Sequence, residues 1–174
     1  MHYFLDALSI FLLSLIAYED FKHRAISWYL LPVLGIVFLA ASFRQFPLSE
    51  IATEFFINFS FVAAQLLLLT VYFSIKERKP VNIIKKHIGM GDILFFIALC
   101  AAFSPVNFLV FYVSGLAVTL LGAGIYHLLS RKSIMEIPLA GGFAVLLIIG
   151  IFSGYFIGGI RFHDDTFTLK LLGF

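Results

Sequence analysis

The chain has 174 residues, of which 61% are hydrophobic and only 13% are charged, and its formal net charge is +2. A soluble domain of this length cannot hide so much apolar surface in one core, so the composition excludes a soluble globular protein. The surplus apolar surface is expected to face a lipid bilayer, and we expect no nucleic-acid partner. We therefore predict an all-α, polytopic membrane helical bundle that forms a single domain over residues 1–174.

Six apolar stretches approach the length of about 20 residues that a helix needs to cross a bilayer. The first is expected to be a retained span, because it lacks the basic segment and the small-residue cleavage site of a secretory signal. The fourth is short, because Pro105 closes it, and we expect a tilted or partly re-entrant helix there. The six stretches are residues 3–18, 27–43, 51–74, 92–103, 106–129 and 137–157.

Lysine and arginine are concentrated in every second loop between the predicted spans. Short cytoplasmic loops carry an excess of positive charge, and here the loops after spans one, three and five are basic. This alternation predicts a multi-pass protein of the cell (inner) membrane with both termini facing away from the cytoplasm. The cytoplasmic set is Lys22, Arg24, Lys76, Arg78, Lys79, Lys85, Lys86, Arg131 and Lys132, and the other side receives Arg44, Arg161 and Lys170.

The sequence shows no pattern of metal ligands or disulfides. Cys100 stands alone in an apolar run, so we expect a structural thiol. His23, His87 and His127 fall near the cytoplasmic rim, but their spacing matches no metal motif. We expect neither a metal nor a cofactor.

Two aspartates are the main candidates for chemistry. Asp20 ends the first span and Asp92 opens the fourth, so the predicted topology places both at the cytoplasmic rim. Two carboxylates held within a few ångströms cannot both ionise cheaply, so one keeps its proton. The ionised member can then act as a general base on water and the protonated member as a general acid. Such a pair could perform the chemistry of an aspartic peptidase.

The second aspartate follows a glycine-rich stretch, Gly89-Met90-Gly91-Asp92. Glycines allow close approach of the backbone to a neighbouring chain, so Gly89 and Gly91 are candidate backbone elements of an active site. The same stretch is also explained by Asp92 acting only as the N-cap of the fourth span. Taken alone, the four residues favour that structural explanation.

Three stretches together resemble the prepilin (type IV leader) peptidase family, a branch of the GxGD membrane aspartic proteases. They are residues 20–26 (DFKHRAI), 89–92 (GMGD) and 137–140 (IPLA), in the same order and at cytoplasmic helix ends. The resemblance implies that Asp20 and Asp92 are the catalytic pair, with Lys22, Arg24 and Pro138 as supporting residues. It also implies a substrate, the basic leader of a type IV prepilin-like precursor, cut at the cytoplasmic face before its hydrophobic helix.

The sequence departs from the family pattern at two points. Ser27 and Trp28 follow Ile26 where Pro-Asn is usual, and two glycines follow Ala140 where a second proline is common. Neither change touches a predicted carboxylate. The chain also has neither the N-terminal region nor the paired cysteines of the larger, methyltransferring members, so we expect a short form with peptidase activity alone.

Other functions are compatible with the same residues. A small transporter would also place carboxylates near a polar pathway, although charges nearer the bilayer centre are then expected. A noncatalytic membrane scaffold and a GxGD protease that cuts inside the lipid span of its substrate are further alternatives. The sequence leaves open the precursor, the pilus or secretion system that it serves and the oligomeric state.

Overall fold

The structure is a computed structural model that describes residues 2–80, 82–83, 88–130, 137–157, 165 and 169. Within these residues the chain forms helices and no strand, which confirms the predicted all-α class. The helices are α1 (His2–His23), α2 (Leu30–Ser42), α3 (Leu48–Glu77), α4 (Met90–Cys100), α5 (Pro105–Ser130) and α6 (Leu139–Ile157). Each of them overlaps one of the six predicted spans.

Some of the sequence predictions fall outside the described residues. They concern Lys85, Lys86, His87, Arg131, Lys132, Arg161 and Lys170, together with the side chain of His127.

The helices differ in their ability to cross a membrane. In the described residues, α3 and the Pro105–Tyr126 part of α5 are long and apolar enough to do so. By contrast, α2 has 13 residues and α4 has 11. At a rise of about 1.5 Å per residue, neither reaches the thickness of about 30 Å of a bilayer core. The short fourth helix was predicted, whereas α2 begins later than predicted because the chain first turns, with the Leu30 amide donating to the Ser27 carbonyl at 3.0 Å.

The core lies between α1, α6 and α4. Helix α1 packs most extensively against α6, and α4 packs against α2, α3 and α6. Phe96 of α4 contacts Phe143 of α6 edge to face, with ring centroids 5.1 Å apart, and Tyr112 of α5 approaches Phe96 to 5.0 Å. These rings hold the middle of the bundle together, and the polar side chains that matter for function lie nearer its ends.

Polar contacts at the carboxyl end of α4 fix the relative direction of three helices. The Asn58 amide, which is 1% exposed, donates to the Phe103 carbonyl at 2.8 Å and to the Cys100 carbonyl at 3.3 Å. The Ser42 hydroxyl donates to the Ala101 carbonyl at 3.1 Å. The last carbonyls of a helix have no partner within it, and these bonds give partners to carbonyls at and just beyond the end of α4. They also place the amino-terminal part of α3 at this end, so α3 runs toward the amino end of α4.

Candidate active site

Asp20 lies in the last turn of α1 and faces into the bundle. Only 6% of its surface is exposed, although the residues that follow it in α1, Phe21 to His23, are exposed. Its Oδ2 accepts a hydrogen bond of 2.6 Å from the backbone amide of Gly141 in α6. Asp20 therefore bridges two helices that meet from distant parts of the sequence.

Asp92 lies in the first turn of α4 and does not cap that helix. The residue at the N-cap position is Gly89, whose φ of −66° and ψ of 142° are those of extended backbone. The Asp92 side chain is partly exposed, and its Oδ1 accepts a hydrogen bond of 3.1 Å from the backbone amide of Ala140. The explanation of the glycine-rich stretch as an N-cap at Asp92 is therefore wrong, because Gly89 occupies the N-cap position and the Asp92 carboxylate is bound to α6.

The amino end of α6 brings the two carboxylates together. The first main-chain bond of α6 runs from the Gly142 amide to the Pro138 carbonyl at 3.1 Å, and the Leu139 amide donates to the Ile137 carbonyl. The amides of Ala140 and Gly141 therefore precede the helical ladder, as the first amides of any helix do. They are consecutive, so their Cα atoms are about 3.8 Å apart, and each donates to one aspartate. The positive end of the helix dipole favours negative charge at this position.

Glycines allow close approach at three points. A side chain at Gly141 would place its Cβ 3.0 Å from Asp20 Oδ2 and 3.2 Å from Asp20 Cβ. At Gly91 the Cβ would lie 3.3 Å from Ile26 Cδ1 in the loop after α1. Gly89 has a Cβ position 3.2 Å from Asp92 Oδ2, so this carboxylate folds back over the turn that precedes its helix.

The environment of Asp20 favours its protonated form. Asp20 lies beyond the predicted first span, residues 3–18, and burial raises the pKa of its carboxyl above the ordinary value of 3.8. The Gly141 hydrogen bond and the positive charge of Arg24 lower this pKa, but their effects are smaller than that of desolvation. A raised pKa is the property that the proton donor of an acidic pair needs.

The three predicted supporting residues differ in how they relate to the two aspartates. The Lys22 side chain is exposed and its Nζ lies 4.9 Å from the centre of the Tyr18 ring. Arg24 is exposed, has a left-handed φ of 54°, and acts on Asp20 through its charge. Pro138 supplies the carbonyl that begins the ladder of α6, and so it helps to place the two amide donors.

An apolar groove of about 450 Å³ lies between α5 and α6, and its lining includes Phe21, the residue after Asp20. Helices α5 and α6 touch at Thr119 and Gly142, where any side chain at position 142 would collide with the Thr119 methyl group. Further along α5 this contact is lost, and a Cβ at Gly122 would meet nothing within 4 Å. The groove fills the resulting gap, and its lining includes Phe21, Arg24, Thr119, Gly122, Ala123, Tyr126, Pro138, Gly142 and Val145.

Two features of the site were not found by sequence reasoning. The stretch 137–140 was singled out, but the part played by the Ala140 and Gly141 amides depends on how α6 meets α1 and α4. The second feature is the partner of Glu19. In the structure its carboxylate accepts the Ser27 amide at 2.7 Å and the Ser27 hydroxyl at 2.9 Å. Main-chain donors carry no sequence signal, which explains both omissions.

Fold and site together define an all-helical protein in which two carboxylates are bound by consecutive amides of one helix end. The model of the type IV leader peptidase family matches residues 7–126, which is more than half of the chain, and the chain belongs to this family. The matched segment contains both aspartates and ends before α6. No curated protein and no solved structure matches the chain. Family membership makes the chain a type IV leader peptidase-like protease with type IV prepilin-like substrates, and together with the apolar helices it indicates an integral membrane protein.

Proposed function

We propose that the chain is a membrane aspartic endopeptidase in which Asp20 and Asp92 form the catalytic pair. The observation that carries this proposal is the pair of hydrogen bonds from consecutive amides, Gly141 to Asp20 and Ala140 to Asp92. Two carboxylates anchored one residue apart on the same helix end are close enough to act on one substrate group. The family match supports peptidase activity in general, and the geometry supports the assignment of residues.

The different burial of the two aspartates suggests their roles. Asp20 is buried and its carboxyl has a raised pKa, so we assign it the role of proton donor. Asp92 is more exposed to water, so we assign it the role of general base on the attacking water. Asp20 then donates its proton to the carbonyl oxygen or to the leaving amine. The Ala140 and Gly141 amides hold both side chains in place during these transfers.

The proposed substrate is the basic leader of a type IV prepilin-like precursor, cut before its hydrophobic helix at the cytoplasmic face of the inner membrane. Among the described residues, Lys22, Arg24, Lys76, Arg78 and Lys79 belong to helix ends and loops on the aspartate side, and Arg44 lies on the other side. This distribution supports a cytoplasmic site, because cytoplasmic loops retain positive charge. The groove beside Asp20 offers an apolar surface for the hydrophobic helix that follows the leader.

The proposal is tested by processing of precursors with basic leaders in membranes that contain the wild-type protein, Asp20→Asn or Asp92→Asn. We expect a shortened product with the wild type. Processing should fall at least about 1,000-fold for each variant, because asparagine can neither accept the proton as a general base nor donate it as a general acid. Asp6→Asn is the matched control, since Asp6 lies about 21 Å from Asp20 along the same helix. Membrane insertion of each variant is checked by protease protection. Processing at the wild-type rate by Asp92→Asn would remove that carboxylate from the mechanism.

The position of the cut separates the proposal from its closest alternative. Sequencing of the product's new N-terminus should locate the cleavage between the basic leader and the hydrophobic segment. A cut within the hydrophobic segment would instead identify an intramembrane-cleaving protease. Absence of cleavage by the wild type with every precursor would favour a scaffold, and solute flux in proteoliposomes would favour a transporter.

A further inference from the structure

The loop between α1 and α2 is fastened to α1 by one carboxylate. Glu19 accepts two hydrogen bonds from Ser27, one from its backbone amide at 2.7 Å and one from its hydroxyl at 2.9 Å. Both residues are half-buried, and hydrogen bonds to a charged acceptor are stronger than those between neutral groups. Glu19 is adjacent to Asp20 in sequence but points about 100° away from it around α1, so the two carboxylates have separate partners.

The fastened loop reaches the second aspartate through Ile26. The Ile26 side chain covers Gly91, where a Cβ would lie 3.3 Å from Ile26 Cδ1 and 3.4 Å from Ile26 Cβ. Gly91 directly precedes Asp92. A continuous set of contacts thus runs from Glu19 through Ser27 and Ile26 to the backbone that carries Asp92.

The other end of the same loop starts α2. The Ser27 carbonyl accepts the Leu30 amide at 3.0 Å, which forms the turn before that helix. Helix α2 in turn packs along α4. A change in the position of Ser27 therefore acts on α4 both at Gly91 and through α2.

We propose that Glu19 is a positioning residue of the active site, which sets the distance between Asp20 and Asp92 by holding Ser27 and, through it, Ile26 against Gly91. The proposal rests on the proposed peptidase function. Glu19 contacts neither the Gly141 amide nor the Ala140 amide, and it takes no part in proton transfer. Its effect is on the geometry of the pair, where small displacements have large kinetic consequences.

The test compares Glu19→Met with Glu19→Gln in the processing assay. Methionine has a similar length but accepts neither bond, so we expect kcat to fall about tenfold with KM unchanged. Glutamine retains both contacts, because its carbonyl accepts the Ser27 amide and its NH₂ group donates to the Ser27 hydroxyl. Glu19→Gln should therefore process at close to the wild-type rate. A loss in Glu19→Gln as large as that in Glu19→Met would show that the charge beside Asp20 is what matters, and would overturn the proposal.

A double-mutant cycle with Ser27→Ala identifies the partner. Ser27→Ala removes one of the two bonds and should lower kcat by less than Glu19→Met, whereas Ser27→Thr keeps both donors and should retain activity. The double variant Glu19→Met/Ser27→Ala should be no slower than Glu19→Met, because the contact is already lost. Additive effects of the two substitutions, or a wild-type kcat in Glu19→Met, would contradict the proposal.

Two controls separate this inference from the proposed function and from loss of folding. Ser14→Ala changes an exposed serine of α1 that bonds only within its helix, to the Ile10 carbonyl at 2.7 Å, and should leave kcat unchanged. If the wild-type protein cleaves no precursor, the proposed function fails. If the wild type cleaves and Glu19→Met cleaves equally well, only the positioning role fails. If the thermal unfolding midpoint falls together with kcat in Glu19→Met, and does not fall in Glu19→Gln, then Glu19 acts on the stability of the fold instead.

Discussion

The two ends of α4 both hold buried polar groups, and they are built in different ways. At the carboxyl end, the neutral side chains of Asn58 and Ser42 donate to the helix carbonyls. At the amino end, the Asp92 carboxylate accepts from Ala140 of another helix, beside the buried Asp20. The Asn58 and Ser42 bonds pair neutral groups that do not titrate. The amino end concentrates acidic groups whose proton can move, which is the property that a catalytic site needs.

This comparison predicts opposite consequences for substitutions at the two ends. Changes at the carboxyl end should lower the free energy of unfolding and leave the rate of each folded molecule unaltered. Changes at the amino end should lower the rate and leave stability unaltered or improved.

Among substitutions that leave both aspartates in place, a change at Gly141 should have the largest effect on catalysis. The Cβ of Gly141→Val would begin 3.0 Å from Asp20 Oδ2 and must displace that carboxylate from the amide that holds it. We expect kcat for precursor processing to fall about 100-fold, the order of loss that a displacement of about 1 Å produces. The matched control is Gly124→Val in α5, where a Cβ meets nothing within 4 Å. Equal rates for the two variants would show that the Gly141 amide does not position Asp20.

Substitution of Asn58 should have the largest effect on stability. Asn58→Ala leaves the buried Cys100 and Phe103 carbonyls without these donors, and we expect the free energy of unfolding to fall by about 2 kcal/mol. Ser60→Ala on the exposed face of the same helix is the control, since the Ser60 hydroxyl bonds only to the Phe56 carbonyl one turn earlier. Unfolding is measured by titration with denaturing detergent, and kcat is measured on the folded fraction. A large loss of kcat in Asn58→Ala without loss of stability would break the proposed division between the two ends.

Asp20→Asn should change stability in the opposite direction, by a smaller amount. The raised pKa of Asp20 means that the folded protein binds a proton more readily than the unfolded chain does. Between the ordinary value of 3.8 and the folded pKa, the wild type therefore loses stability as pH rises. Asparagine carries no charge and keeps an oxygen for the Gly141 amide, so the variant should be the more stable protein at pH 7 and lose this advantage below pH 3.8. A less stable variant at pH 7 would show that the charged carboxylate is held favourably.

The sequence predicts those features of the molecule that depend on the type of side chain. Long apolar runs predict the helices, and Asp20 with the Gly89-Met90-Gly91-Asp92 stretch predicts which helix ends matter. The sequence does not record which backbone amides those carboxylates meet, because every residue except proline carries the same donor. Ala140 and Gly141 acquire their place only when α6 packs on α1. The late start of α2 has a similar cause. The first residues of the predicted second span have the composition of an apolar span, but the Glu19 contact with Ser27 holds them in a turn.

The groove beside Asp20 provides the prediction with the smallest expected effect. If the substrate's hydrophobic helix lies between α5 and α6, then Gly122→Phe should raise KM about fivefold, equivalent to about 1 kcal/mol of binding, and leave kcat unchanged. The backbone at Gly122 has open space for the ring, so the bundle itself is not strained by the change. Gly124→Phe is the control, because this glycine also has free space around it but is not part of the groove lining. An unchanged KM in Gly122→Phe would mean that lipid, rather than substrate, fills the groove, and the chemistry at the Asp20 and Asp92 end of α4 would then be independent of it.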